Sequence, residues 1–341
     1  MKRNWLATAT MIALLASLAP IAALGQDSGM GSVLVGETGS AEDLVLSEEE
    51  TAAAMAALEG KTVGIVATTL ETEYHSLLNG TAKSALEGLG ATVNVCDSQV
   101  DAARALDCFE GFLQKGVAAI ITTSSATTVD DAAKQAIADG IIVVQVTGLD
   151  LGETGAVGIS VDNITIGLEE GRSAGAFAAE TWPDQEVEAI ILDFPDIPDL
   201  VARADAIEQG LAETNPNVKV VGRFLGGLPE NGVTSIETAL QQFPDLGLVT
   251  GINDGGNLGA YQALETDGKV PGEVAVFGID CDPAAVALID AGTIYEGCVD
   301  TNPAGTGELA ASAIAKLLAG TDVPGNVEVP VSTYSGAVDA E

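Results

Sequence analysis

Residues 62–97 read TVGIVATTLETEYHSLLNGTAKSALEGLGATVNVCD. The stretch opens on an apolar run, TVGIVAT, and closes on another, TVNVC. Between them Leu78, Ala82, Ala85, Leu86 and Leu89 recur at i, i+4, i+7, i+8 and i+11. That recurrence puts one apolar stripe on a helix that packs on a sheet, and the flanking runs have the character of strands buried on both faces. Strand, helix and strand in alternation are the signature of a parallel sheet covered by helices.

The alternation continues along the chain. Strand-like runs follow at VAAIITT (117–123), IIVVQVT (141–147) and AVGISV (156–161). A second set comprises VEAIILDF (187–194), VKVVGRF (218–224), LGLVTGI (246–252), EVAVFGID (273–280) and IYEGCV (294–299), and helical patterns separate most of them. Five strands followed by five more predict two similar α/β halves without close sequence repetition. The length of 341 residues agrees, because it exceeds what one hydrophobic core usually serves. With 47% apolar residues the chain can bury a large core, which excludes a disordered protein.

Charge narrows the partners. Thirteen basic against 50 acidic residues give a formal net charge of −37, and such a surface repels nucleic-acid phosphates and anionic lipid. At the N-terminus, Lys2 and Arg3 precede an apolar run interrupted by Thr8, Thr10, Ser17 and Pro20, with Ala23 and Gly25 at −3 and −1 of a cleavage point before Gln26. Residues 1–25 therefore read as an export signal rather than a membrane span, and the mature protein is expected in the periplasm or outside the cell. Residues 26–60 carry eight acidic residues and no basic one. They read as a solvated leader holding one short helix, in which Ser47 and Glu50 have capping-box spacing.

Export makes disulfides persistent, and four cysteines allow three pairings. Cys96 and Cys108 flank a strand end turning into a helix, while Cys281 and Cys298 bracket one helix-sized segment, so Cys96–Cys108 and Cys281–Cys298 are the expected bridges. The absence of C-x-x-C spacing and the presence of a single histidine, His75, disfavour a zinc site. No G-x-x-x-x-G-K-[ST] or G-x-S-x-G occurs, and the turn after the first strand, TTLETEYH, has no glycine to admit a pyrophosphate. Neither a cofactor nor a metal is expected.

Ligands of open α/β sheets bind beyond the carboxyl ends of the strands. There the chain places Thr72, Tyr74, His75, Asp97, Ser124, Thr147, Asp162, Phe194, Asn253, Asp280 and Thr301. Hydrogen-bonding groups with a few flat apolar faces suit reversible capture of a small polar molecule. Capping competes with ligand contact at several helix starts: Asp282 before Pro283 and Asn302 before Pro303 read as N-caps, and Asn163 as a cap for the helix after it. Arg203 is placed in the first turn of a helix with the stripe Leu200, Ala204, Ile207 and Leu211. A cation there opposes the helix dipole, which points to a ligand or carboxylate partner.

Residues 63–101, 117–146, 159–175 (ISVDNITIGLEEGRSAG), 249–265 (VTGINDGGNLGAYQALE) and 274–292 (VAVFGIDCDPAAVALIDAG) closely resemble the type I periplasmic binding proteins of the ribose- and galactose-binding branch. The resemblance covers nearly all of residues 60–335. It implies two Rossmann-like lobes joined by three hinge crossings near Val161–Asp162, Thr301–Asn302 and Val329–Pro330. The N-terminal lobe would be 60–161 with 302–329, and the C-terminal lobe 162–301 with 330–341. It further implies closure on a sugar and docking on an ABC transporter permease, with a chemoreceptor left open as a second partner. Carried over by position, the aromatic-and-amide loop falls on Thr72, Tyr74 and His75, the binding arginine on Arg203, the Asn-Asp pair on Asn253 and Asp254, and the strand-end aspartate on Asp280. The hinge glutamine falls on Thr301. The chain departs from the family after IIVVQVT, where an Asp-Arg pair is replaced by Thr147 and Gly148. A monosaccharide or polyol is the leading ligand class, with a less hydroxylated or cyclic polar molecule as the variant reading.

Two other classes compete with a solute receptor. A sugar-responsive transcription regulator with the same core needs a basic helix-turn-helix before the first strand, where this chain has an export signal and an acidic leader. An exported α/β enzyme would turn its ligand over, and no motif here supplies the chemistry.

Overall fold

In the computed structural model residues 29–124, 126–146 and 154–336 are described. Residues 1–25, expected to be an export signal, and Gln26, Thr147 and Gly148 lie outside them. All ten expected strands form, and three more join them.

The first sheet contains β1 (Val33–Ser40), β2 (Thr62–Ala67), β3 (Thr92–Asp97), β4 (Ala119–Thr122), β5 (Ile142–Val146), β6 (Val157–Ser160) and β12 (Val323–Glu328). Its order is β1-β12-β6-β5-β4-β2-β3, with every pair parallel. The second sheet contains β7 (Val187–Asp193), β8 (Val218–Leu225), β9 (Leu248–Gly251), β10 (Ala275–Ile279), β11 (Tyr295–Asp300) and β13 (Ser332–Tyr334). It runs β13-β11-β10-β9-β7-β8, parallel except for the antiparallel β13. The central strands are mostly apolar because both faces are covered: Ile65, Ile120, Ile121 and Val144 have no exposed surface, and each such side chain contributes roughly 1.5–3 kcal/mol.

Helices α1 (Glu48–Leu58), α2 (Glu73–Gly88), α3 (Ala102–Lys115), α4 (Ala126–Ala138) and α10 (Pro303–Leu318) belong to the first lobe. Helices α5 (Asn163–Thr181), α6 (Pro198–Thr214), α7 (Pro229–Gln242), α8 (Asp254–Thr266) and α9 (Pro283–Asp290) belong to the second. The chain passes between the sheets three times, after β6, after β11 and after β12. Among the described residues no helix is long and apolar enough to cross a membrane.

Residues 26–60 depart from the reading of a solvated leader. Val33–Ser40 forms β1, the edge strand of the first sheet, in parallel register with β12. Neither strand announces itself: an edge strand has one neighbour and an open face, so β1 carries only a short apolar start, and β12 is interrupted by Pro324 and Gly325. The Ser47–Glu50 capping box forms, with the Ser47 N–H donating to Glu50 Oε2 at 2.8 Å and the Glu50 N–H to Ser47 Oγ at 3.2 Å. Helix α1 packs on α10, burying Ala54 and Leu58, and Lys316 Nζ donates to Glu50 Oε1 at 2.8 Å.

Both expected bridges are present. Cys96–Cys108 ties the end of β3 to α3, and Cys281–Cys298 ties the turn after β10 to β11. Each lies within one lobe.

Candidate ligand-binding site between the lobes

The carboxyl ends of the two sheets face each other and enclose a cavity of about 150 Å³. The first lobe contributes Thr68, Tyr74, His75 and Thr123; the second contributes Arg203, Ile252, Asn253 and Asp280. The start of α6 adds Ile197, Asp199 and Leu200, and the crossing segments add Val161 and Thr301. A larger open groove, of about 650 Å³, lies on the outer surface of the second lobe between α7 and α8, away from the strand ends.

Arg203 is placed by the packing of α6 on α5. Gly167 makes that approach close, since a Cβ there would stand 2.3 Å from the Arg203 carbonyl oxygen. The guanidinium is then oriented by two bonds, from Nε to Asn163 Oδ1 at 2.9 Å and from Nη1 to the Ile252 carbonyl at 2.7 Å. Two details differ from the sequence reading. Helix α6 begins at Pro198, so Arg203 stands in the second turn rather than the first, and Asp162, not Asn163, caps α5 through the Ile164 and Thr165 N–H groups. Burial lowers the Arg203 pKa while Asp280, Tyr74, Glu170 and Asp199 oppose that shift; a guanidinium stays protonated throughout.

Asp280 follows β10 with φ +108°, and Cys281 follows with φ +49°, both in the left-handed half of backbone space. The Cys281–Cys298 bridge fastens this turn, and Thr301 Oγ1 donates to Asp280 Oδ1 at 2.9 Å. Burial pushes the Asp280 carboxyl well above its ordinary range, reinforced by Asp282 and Asp254 and opposed by Arg203.

Behind this wall lies a set of buried acids, of which the sequence reading named Asp254 and Asp282 but not Glu170. Asp254 accepts from the Tyr295 hydroxyl at 2.6 Å and from the Asp282 N–H at 2.7 Å, and burial holds its carboxyl well above the usual range. Glu170 is raised in the same way, with Oε1 accepting the Gly251 N–H at 3.1 Å. Asp282 occupies the N-cap position of α9 but makes no capping bond; it is fully buried and faces α2 of the other lobe. Among the described residues no cluster of His, Cys, Asp and Glu is arranged to hold a metal ion.

In the first lobe Thr72 caps α2, and its Oγ1 lies 2.8 Å from His75 Nδ1. Burial lowers the His75 pKa to about 4, so the ring is neutral at physiological pH. Tyr74 stands edge-on to it, with centroids 5.0 Å apart.

Of the residues expected at the site, Tyr74, His75, Arg203, Asn253, Asp280 and Thr301 line the cavity. Thr72 and Phe194 line a smaller adjoining chamber, and Ser124 lines the outer cleft with Phe194. Asp97 and Asp162 do not line the cavity: Asp97 accepts the Gln99 N–H at 2.9 Å, and Asp162 caps α5. Thr147 lies outside the described residues. Asn253 has both carboxamide atoms engaged, Oδ1 by the Gly256 N–H and Nδ2 by the Gly227 carbonyl. Ile197, Leu200 and Ile252 were missed because an apolar residue at a helix start or strand end reads as core.

The periplasmic binding protein domain matches residues 63–322. The chain belongs to that family. The ribose import binding protein RbsB of Bacillus subtilis (strain 168) is 26% identical over 274 residues, spanning 79% of this chain and 86% of RbsB. A Mycobacterium smegmatis protein solved in complex with β-D-fucofuranose is 25% identical with a TM-score of 0.70, covering 81% of this chain and 91% of that one. An ABC transporter periplasmic solute binding protein from Actinobacillus succinogenes 130z, solved with D-allose, is 21% identical with a TM-score of 0.72, covering 81% of this chain and 97% of the other.

Proposed function

We propose that this periplasmic binding protein captures a monosaccharide- or polyol-sized ligand between its lobes and delivers it, unchanged, to an ABC permease. The protein is exported by a signal peptide cleaved before Gln26 and acts as a binder, not an enzyme. The moving bodies are the lobe of the first sheet, residues 33–161 with 302–329, and the lobe of the second, residues 162–301 with the tail. The crossing segments between them serve as the hinge.

One observation carries the reading. Arg203 Nη2 and Asp280 Oδ2 form no hydrogen bond to another described residue, yet both side chains line a cavity shared by the two lobes. Polar atoms so placed require partners, and a ligand hydroxyl can accept from the guanidinium while bonding the Asp280 carboxyl. Tyr74 and His75 then cover the ring from the other lobe, and Thr301 holds Asp280 in position.

A thermal-shift screen over pentoses, hexoses and polyols tests the proposal. A ligand at about 100 times its dissociation constant raises stability by about 2.7 kcal/mol, and mass spectrometry should recover it unchanged. Small-angle scattering should show a smaller radius of gyration with that ligand than without it. Conversion of the ligand, or its binding with Arg203 and Asp280 both replaced by alanine at unaltered affinity, would overturn the reading.

A further inference from the structure

The cavity does not end at its polar wall. A second chamber of about 60 Å³ adjoins it, sharing Thr68, His75, Ile197, Leu200, Ile252 and Asn253 as common lining. Its own walls add Val100, Phe194 and Leu228 together with Thr69, Thr72 and Gly227, so apolar side chains from both lobes bound much of it.

Several of the hydroxyls and amides around this chamber are already engaged. Thr69 Oγ1 accepts the Glu71 N–H at 3.1 Å, Thr72 Oγ1 lies 2.8 Å from His75 Nδ1, and both polar atoms of Asn253 are bonded to backbone. A ligand hydroxyl entering here would leave water and find few partners, which is unfavourable; an apolar group would not meet that cost.

Backbone strain at the same place points the same way. Val100 has φ +59° and follows Gln99 at φ +54°. A β-branched residue is a rare occupant of that region, where Gly or Asn is ordinary. The conformation is held by the Val100 N–H donating to the Thr68 carbonyl at 2.7 Å. Ser98 Oγ donates to the Ala67 carbonyl at 2.8 Å, and the Cys96–Cys108 bridge lies next to it. The loop is thus fixed in a strained form that sets an isopropyl group, 38% exposed, at the chamber wall.

Resting on the reading of the cleft as a sugar or polyol site, we propose that the cognate ligand is a small polyhydroxylated molecule bearing one short apolar substituent: a deoxy-sugar methyl, or an alkyl group on oxygen or sulfur. Arg203 and Asp280 take the hydroxylated part, while Val100, Phe194, Ile197 and Leu228 enclose the apolar part. Val100 is the specificity-determining residue.

The test is calorimetric titration of the whole mature protein with matched pairs: D-ribose and 5-deoxy-D-ribose, D-galactose and 6-deoxy-D-galactose, and each parent sugar with its methyl glycosides. Burial of one methyl-sized group should make at least one substituted member bind about fourfold tighter than its parent. Val100→Asn keeps a residue suited to positive φ while removing the apolar wall. It should cut that preference to less than about twofold. Val100→Gly relieves the strain, so the same result from it excludes misfolding as the cause. If the fully hydroxylated member binds as well or better in every pair, or the preference survives in both variants, the inference is overturned while the receptor reading stands. If no sugar of the panel binds the folded protein, both fall together.

Discussion

Asp282→Asn probes the electrostatics of the cleft. Asp282 is fully buried, its N–H donates to Asp254 Oδ2 at 2.7 Å, and its carboxyl faces the Tyr74 N–H and the charge of Glu73 across the cleft. Burial first, and Glu73 second, push the carboxyl up to about 7 from an ordinary value of 3.8. A group raised in this way binds its proton more tightly in the folded than in the unfolded chain. Its stabilising contribution is therefore complete below about pH 4 and is lost as pH rises through about 7. A gap of about three pKa units corresponds to about 4 kcal/mol, an order-of-magnitude figure for what ionised Asp282 costs at pH 8. The amide keeps the shape without the charge. Urea unfolding followed by circular dichroism at pH 4.5, 6, 7 and 8 should show the variant more stable than the parent by about 2–4 kcal/mol at pH 8, and within about 1 kcal/mol at pH 4.5. The general relief of self-repulsion on acidification, expected for a net charge of −37, is nearly common to both proteins and cancels in the difference. A variant no more stable than the parent at pH 8 would refute the reasoning.

Three further outcomes are expected. With an identified ligand, Arg203→Ala and Asp280→Ala should each weaken binding by about 2–5 kcal/mol in calorimetric titration, with circular dichroism unchanged. Replacing Cys281 and Cys298 by serine opens a loop with a sequence separation of 17 and should lower stability by about 3 kcal/mol in urea unfolding. It should also weaken ligand binding, because Asp280 sits on the fastened turn. Glu50→Gln should cost about 1–3 kcal/mol by separating the bond to Lys316. The Glu50 carboxyl lies at about 2, chiefly through Lys316, below its ordinary 4.5; its contribution is present above about pH 4.5 and lost as pH falls towards 2, so the cost should fade over that window.

The strands of both sheets' interiors were legible from residue order alone. Strands covered on both faces must be largely apolar, and β2, β4, β5, β7 and β10 are so, with Gln145 in β5 and Glu188 in β7 as interior exceptions. The bridges were legible for a related reason, since each cysteine pair brackets one short local segment. Edge strands escape such a reading: β1 needs only one partner, and that partner, β12, arrives from almost three hundred residues away. Arg203 and Asp280 were legible as cavity-lining residues because charge at a strand or helix end is conspicuous in a sequence. The apolar lining was not. Ile197, Leu200 and Ile252 have the residue types of a core, and only the meeting of two lobes around one space makes them cavity lining. Asp282 marks the same boundary: its sequence context specifies a helix start, whereas its neutralising burial against Tyr74 and Glu73 exists only once the two lobes meet. Local pattern determines which segments become strands and helices, because that choice depends on periodicity and burial of a face. Which side chains share a cavity, and at what pKa, depends on distances between segments far apart in the chain, and the tertiary structure alone sets those.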